Sequence, residues 1–100
     1  MPWDKRAPAG DNWTFADYAP ATRLAILRAQ MVAQRLATCT VCGKRPIRRR
    51  GVLLPQALRR LVVPAGMRPS PYAVCARHNK VSDEELGDTL LPGWREHQGP

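Results

Sequence analysis

A chain of 100 residues with 16 Lys and Arg against 8 Asp and Glu, and hence a net charge of +8, is one basic domain at most, and ten prolines cut its apolar residues into short segments. No run of 18 apolar residues occurs, which excludes a membrane-spanning helix. Three cysteines cannot all pair as disulfides, and with no signal peptide the chain is expected in a reducing cytoplasm, where closely spaced thiols point to metal.

Residues 1–18 contain Pro2, Pro8 and Gly10 and show no helical period, but Trp3, Trp13, Phe15 and Tyr18 supply four of the six aromatic residues. The stretch reads as an extended aromatic arm in which Trp13 and Phe15 point to the same side. Such an arm either packs back on the protein's own core or anchors a partner. From Pro20 to about Ala37 the sequence reads as one long helix, with proline in its first turn and no interior Gly or Pro. Stepping about 100° per residue, Ala25, Ile26, Ala29, Val32, Ala33 and Leu36 share a broad apolar arc, and Leu24, Leu27 and Met31 form a second, narrower one. The second arc is covered by the arm or offers a contact surface to another protein, which makes Trp13, Phe15, Leu27 and Met31 the possible anchors for a partner.

Cys39-Thr-Val-Cys42 comes next, and Cys75-Ala-Arg-His78 lies 32 residues beyond it; together the two pairs use every cysteine in the chain. The spacing lets two side chains from one tight turn reach the same tetrahedral ion, so Cys39, Cys42, Cys75 and His78 are the expected ligands of one structural Zn²⁺. Gly43 stands where such a turn often needs a positive φ. Four matched ligands leave no position open for a catalytic water. His97, the only other histidine, lies in the C-terminal tail.

Between the pairs, Lys44-Arg45-Pro46-Ile47-Arg48-Arg49-Arg50-Gly51 is a basic loop or hairpin rim, and Pro55 to Val63 reads as a short helix with Leu58, Leu61 and Val62 inward and Arg59 and Arg60 outward. The middle is therefore open to either a hairpin or a helix inside the zinc loop. Residues 64–72, with Pro64, Gly66, Pro69 and Pro71, read as a loop returning to the second pair. Ser82-Asp83-Glu84-Glu85 is a capping-box signature that opens a short helix over about 82–91, stopped by Pro92 and Gly93 before a loose tail. The organisation expected is an extended aromatic arm (1–18), a zinc-binding basic domain (19–81) and a C-terminal helix and tail (82–100).

All eight carboxylate side chains lie at residue 17 or before, or at 83 or beyond, so residues 18–82 hold 13 Lys and Arg and no acid. Ordinary surfaces mix both signs, and a window of one sign implies a polyanionic partner. Nucleic acid is the default, gripped through phosphate by Lys44, Arg45, Arg48, Arg49, Arg50, Arg59 and Arg60. The aromatics do not interleave with these cations, which favours backbone contacts to a duplex or structured nucleic acid over base stacking on a single strand.

A helix running into Cys-x2-Cys-Gly, a middle excursion and a second pair beside a helix resembles the treble-clef group of small zinc modules. The entry Leu24–Arg28 through Thr38–Lys44, with the closing Cys75-Ala-Arg-His78-Asn79, is also similar to zinc-bearing HNH nucleases. Those enzymes place histidines with Asp or Asn between the ligand pairs, whereas residues 43–74 here contain no His, Asp, Asn or Glu. The resemblance thus implies a small zinc-stapled α+β or mostly α domain, and a shared scaffold without the reaction. The function expected is that of a nucleic-acid-binding regulator or accessory subunit of a nucleoprotein machine, not an enzyme. An adaptor docking on an RNA polymerase, a ribosome or a virion component is the alternative, and a degenerate HNH-like nuclease is the minor one.

Overall fold

The computed structural model describes residues 13–97. Its regular elements are a helix α1 (Pro20–Arg35), strands β1 (Ile47–Leu53) and β2 (Ser70–Cys75), and a helix α2 (Asp83–Leu90). Short 3-10 turns at Phe15–Asp17, Gln56–Leu58, Ala76–His78 and Trp94–His97 join or flank them. The domain is α+β rather than mostly α, because the middle of the chain forms an antiparallel strand pair.

α1 starts with Pro20 in its first turn, where the missing N–H costs nothing and the fixed φ suits the helix. It ends at Arg35, two residues earlier than the periodicity predicts, because Leu36 turns to extended backbone. The Arg50 guanidinium closes that end, donating through Nε (3.2 Å) and Nη2 (3.0 Å) to the Leu36 carbonyl. The buried stripe is Thr22, Ile26, Ala29 and Ala33, and its two alanines let the sheet approach closely. Val32, expected inside, is half-exposed, as are Leu24, Leu27 and Met31.

β1 and β2 pair in a register that sets Arg49 opposite Val74, Gly51 opposite Tyr72 and Leu53 opposite Ser70, with a bulge at Arg48 between Ile47 and Arg49. Alternation then separates two faces. Leu53, Tyr72 and Val74 join Leu86, Leu91 and Trp94 in one core cluster on the α2 side. Arg50 and Val52 lie toward α1, the first bonded to its C-terminus and the second beside Leu27 and Met31. Leu86, Leu91 and Val74 are almost wholly removed from water. Each such side chain contributes about 1.5–3 kcal/mol.

β2 departs from the sequence expectation: Pro69 and Pro71 mark the segment as loop, yet Pro71 sits in register opposite Val52. A two-stranded sheet consists only of edge strands, where proline is tolerated. The helix expected over 55–63 reduces to the single turn Gln56–Leu58, after which Arg59 leaves helical backbone. Leu58 is buried as expected, but Leu61 and Val62 are 64% and 79% exposed. So short a window, ending in two valines and a proline that disfavours helical backbone before it, cannot offset the cost of helix nucleation.

The arm expectation for residues 1–18 falls partly outside the described residues. From Trp13 to Tyr18 the extended chain is interrupted: Phe15–Asp17 form a 3-10 turn, held by the Thr14 N–H and hydroxyl donating to the Asp17 carboxylate at 2.7 and 2.9 Å. Trp13 stacks at a tilt on Tyr18, 5.2 Å between centroids, and packs against a second core cluster of Tyr18, Ile26 and Leu58. Trp13 thus packs against the protein's own core, while Phe15 stays 44% exposed.

α2 is capped as its sequence predicts, with Ser82 Oγ accepting from the Glu85 N–H at 3.2 Å and three acids in the first turn. Beyond α2 the chain is not a loose tail as far as His97. Gly93 takes φ +84°, the chain reverses, and Trp94 returns to the core with its indole N–H donating to Asp88 at 2.8 Å.

Candidate metal centre

The first ligand pair sits in a tight turn between α1 and β1. The Cys39 N–H donates to the Lys44 carbonyl at 2.9 Å and the Gly43 N–H to the Cys39 carbonyl at 2.7 Å. The turn closes because Gly43 adopts φ +73°, a conformation costly to any residue with a Cβ. Thr40 fastens the turn to β2, its N–H donating to the Ala73 carbonyl (2.7 Å) and its hydroxyl accepting from the Ala73 N–H (3.1 Å). The second pair begins at the last residue of β2, and the 3-10 turn Ala76–His78 swings His78 back beside Cys75.

The pairing of strands brings together what the sequence separates. Cys39 Sγ, Cys42 Sγ, Cys75 Sγ and a His78 ring nitrogen all lie within 4.8 Å of one another. Cys42 Sγ is 3.8 Å from Cys75 Sγ, and His78 Nδ1 is 3.5 Å from Cys75 Sγ and 3.8 Å from Cys39 Sγ. A tetrahedral ion with metal–sulfur bonds of about 2.3 Å and metal–nitrogen bonds of about 2.0 Å separates two sulfurs by about 3.8 Å and a sulfur from a nitrogen by about 3.5 Å. The edges match. The sulfurs are far outside disulfide range, and the three cysteines are free thiols.

The electrostatics of the four groups also suit a cation. Burial pushes the Cys39 thiol up, but the backbone amides of Cys75, Cys42 and Val41 outweigh it and bring it down to about 6. The hydrogen bond with His78 lowers Cys75, and the same bond raises His78. Cys42 moves the other way: the Lys44 amide lowers it, yet burial and the neighbouring sulfurs of Cys39 and Cys75 prevail. Two thiolates are favoured and the third is opposed by burial and by the sulfurs beside it, an opposition that a divalent ion offsets. These four residues can hold one metal ion, with Cys39 and Cys75 backed by the core cluster of Leu53, Tyr72 and Val74.

The seven cations singled out as phosphate contacts do not form one equivalent set. Lys44 and Arg45 line a shallow cleft with Cys42, Cys75 and His78. Arg77, not among the seven, lines the same cleft, and its place inside the second ligand pair was the available signal. Arg48 occupies the bulge and is exposed. Arg49 lies over the Tyr72 ring at 5.4 Å, and Arg59 over Trp13 at 5.6 Å. Arg50 is held by the end of α1, and Arg60 is exposed beside Leu61 and Pro20. Among the described residues, Lys44, Arg45, Arg48 and Arg77 make no ion pair. Comparison with known proteins gives no matching protein family, no matching curated protein and no matching solved structure.

Proposed function

We propose that this protein is a zinc-stabilised nucleic-acid-binding module that grips phosphate with the cations surrounding its metal centre. The observation that carries the reading is the acid-free window of residues 18–82, within which two separated ligand pairs meet at one four-residue cluster. A single-signed surface lacks an internal counter-charge, and a polyanion supplies it. Zinc is the ion that a closed Cys3His set selects, since soft thiolates with tetrahedral geometry disfavour magnesium and calcium. When bound, it ties the turn after α1 to the end of β2, so that Lys44, Arg45, Arg48 and Arg77 face outward from a fixed frame.

The order of turn, strand pair, second ligand pair and helix supports the treble-clef reading. A structural role for the metal fits better than catalysis, because no His, Asp, Asn or Glu lies between the ligand pairs to activate water. Binding of labelled duplex DNA and duplex RNA across a salt series tests the proposal. Four or five phosphate contacts give a slope of log K against log salt of about −4 on duplex. An affinity that hardly changes between low and physiological salt would refute it.

A further inference from the structure

The sheet has two outer edges, and they are treated differently. β2 is bonded on its outer side by Thr40, which both donates to and accepts from Ala73. Among the described residues, no backbone group bonds the outer side of β1. Alongside β1 runs an open groove between it and α1, lined by Leu27 and Met31 from the helix and by Gly51, Val52 and Leu54 from the strand and its exit. Leu27 is 47% exposed and Met31 62%. An open strand edge beside an apolar trough is the arrangement that receives an added strand, with main-chain bonds giving affinity and the trough taking alternate side chains.

The charge around the groove selects the occupant. On α1, Arg28 and Arg35 stand three residues before and four residues after the groove-lining Met31, on the same side of the helix, and residues 18–82 hold no carboxylate. A second copy of this chain would set these cations against their own equivalents. A flat anionic membrane would meet the charge but not enter a concave trough or satisfy a strand edge. We infer that β1 and the α1 groove bind an extended acidic segment of a partner protein, one that alternates apolar and acidic residues and adds as a third strand. The surface is distinct from the metal-proximal cations, so the inference stands apart from nucleic-acid binding.

The test uses the full-length zinc-loaded protein and a fluorescein-labelled peptide of alternating valine and glutamate. Controls are a valine–lysine peptide, a serine–glutamate peptide of equal charge, and phosphatidylserine vesicles. Saturable binding of the valine–glutamate peptide is expected, with amide shifts concentrated in residues 48–54 and slowed hydrogen exchange along β1. A Leu27→Ser/Met31→Ser variant, altered only at exposed positions, is expected to keep its melting temperature and its duplex affinity while losing at least tenfold in peptide affinity. Equal binding of the serine–glutamate or valine–lysine peptide would overturn the inference, as would unchanged affinity in the variant or shifts that map to Lys44, Arg45 and Arg77. Vesicle binding that the variant abolishes, or self-association of the protein through the groove, would overturn it in favour of those occupants.

Discussion

Arg48 and Arg50 stand two residues apart in one basic run, yet they are expected to fail in different ways. The Arg50 guanidinium donates twice to the Leu36 carbonyl at the C-terminus of α1. A cation there is worth about 0.3–1 kcal/mol at an exposed site. For a domain of this size Arg50→Ala should therefore lower the melting temperature by about 2–6 °C. Arg48 is the exposed bulge residue with no ion pair among the described residues, and Arg48→Ala should leave the melting curve unchanged. On duplex nucleic acid the order reverses. Loss of Arg48 should make the salt slope shallower by about 0.9, the share of one phosphate contact, whereas loss of Arg50 should leave the slope as it is. Paired thermal melts and salt-series titrations of both variants measure this. The reasoning fails if Arg50→Ala melts like the parent while flattening the salt dependence as much as Arg48→Ala does.

Three further substitutions probe the frame. Alanine is the better helix former by about 1 kcal/mol, but a Cβ at Gly87 would lie 2.8 Å from the Trp94 ring, so Gly87→Ala should destabilise by a net of about 1–2 kcal/mol; a melting temperature above the parent's would contradict this packing. At Gly43 space is open and only the backbone objects, so Gly43→Ala should cost about 1–2 kcal/mol and weaken zinc retention in a chelator titration, while zinc retention equal to the parent's would show that the positive φ is dispensable. The Arg95 guanidinium and then the Trp94 indole hold the Asp88 carboxyl at about 2, below its ordinary value. Because the folded-state value is the lower one, the stability it adds is complete above about pH 4 and is lost as pH falls toward 2. The destabilisation caused by Asp88→Asn should thus stay constant between pH 8 and pH 5 in urea titrations, and a deficit that shrinks across that range would place the carboxyl elsewhere.

The metal cluster was legible in the sequence because each ligand pair is local: two side chains three residues apart on a tight turn need little beyond Gly43, whose positive φ was expected. The long helix was legible for the same reason, as were the Ser82 cap and the burial of Leu58. The strand pair was hidden because pairing is decided across the chain. Ile47 to Arg50 carries no apolar alternation, and Pro69 and Pro71 argue for loop until β1 supplies an edge that tolerates them. Trp94 reads as tail until the missing side chain of Gly87 opens a seat for its ring. The division of the cations into Arg50 at the end of α1, Arg49 over Tyr72, and the open group around the metal depends on the same pairing, so a list of charges along the sequence cannot make it.

Metal content and its removal test the central claim most directly. A structural zinc ion contributes about 10–16 kcal/mol of apparent binding free energy, more than the net stability of an ordinary domain of this size. The purified protein should contain one zinc ion per chain by elemental analysis. A strong chelator should abolish the cooperative melt and the dispersed amide spectrum of residues 39–78 together. A metal-free chain with the same melting temperature and spectrum in chelator would contradict a fold built on Cys39, Cys42, Cys75 and His78.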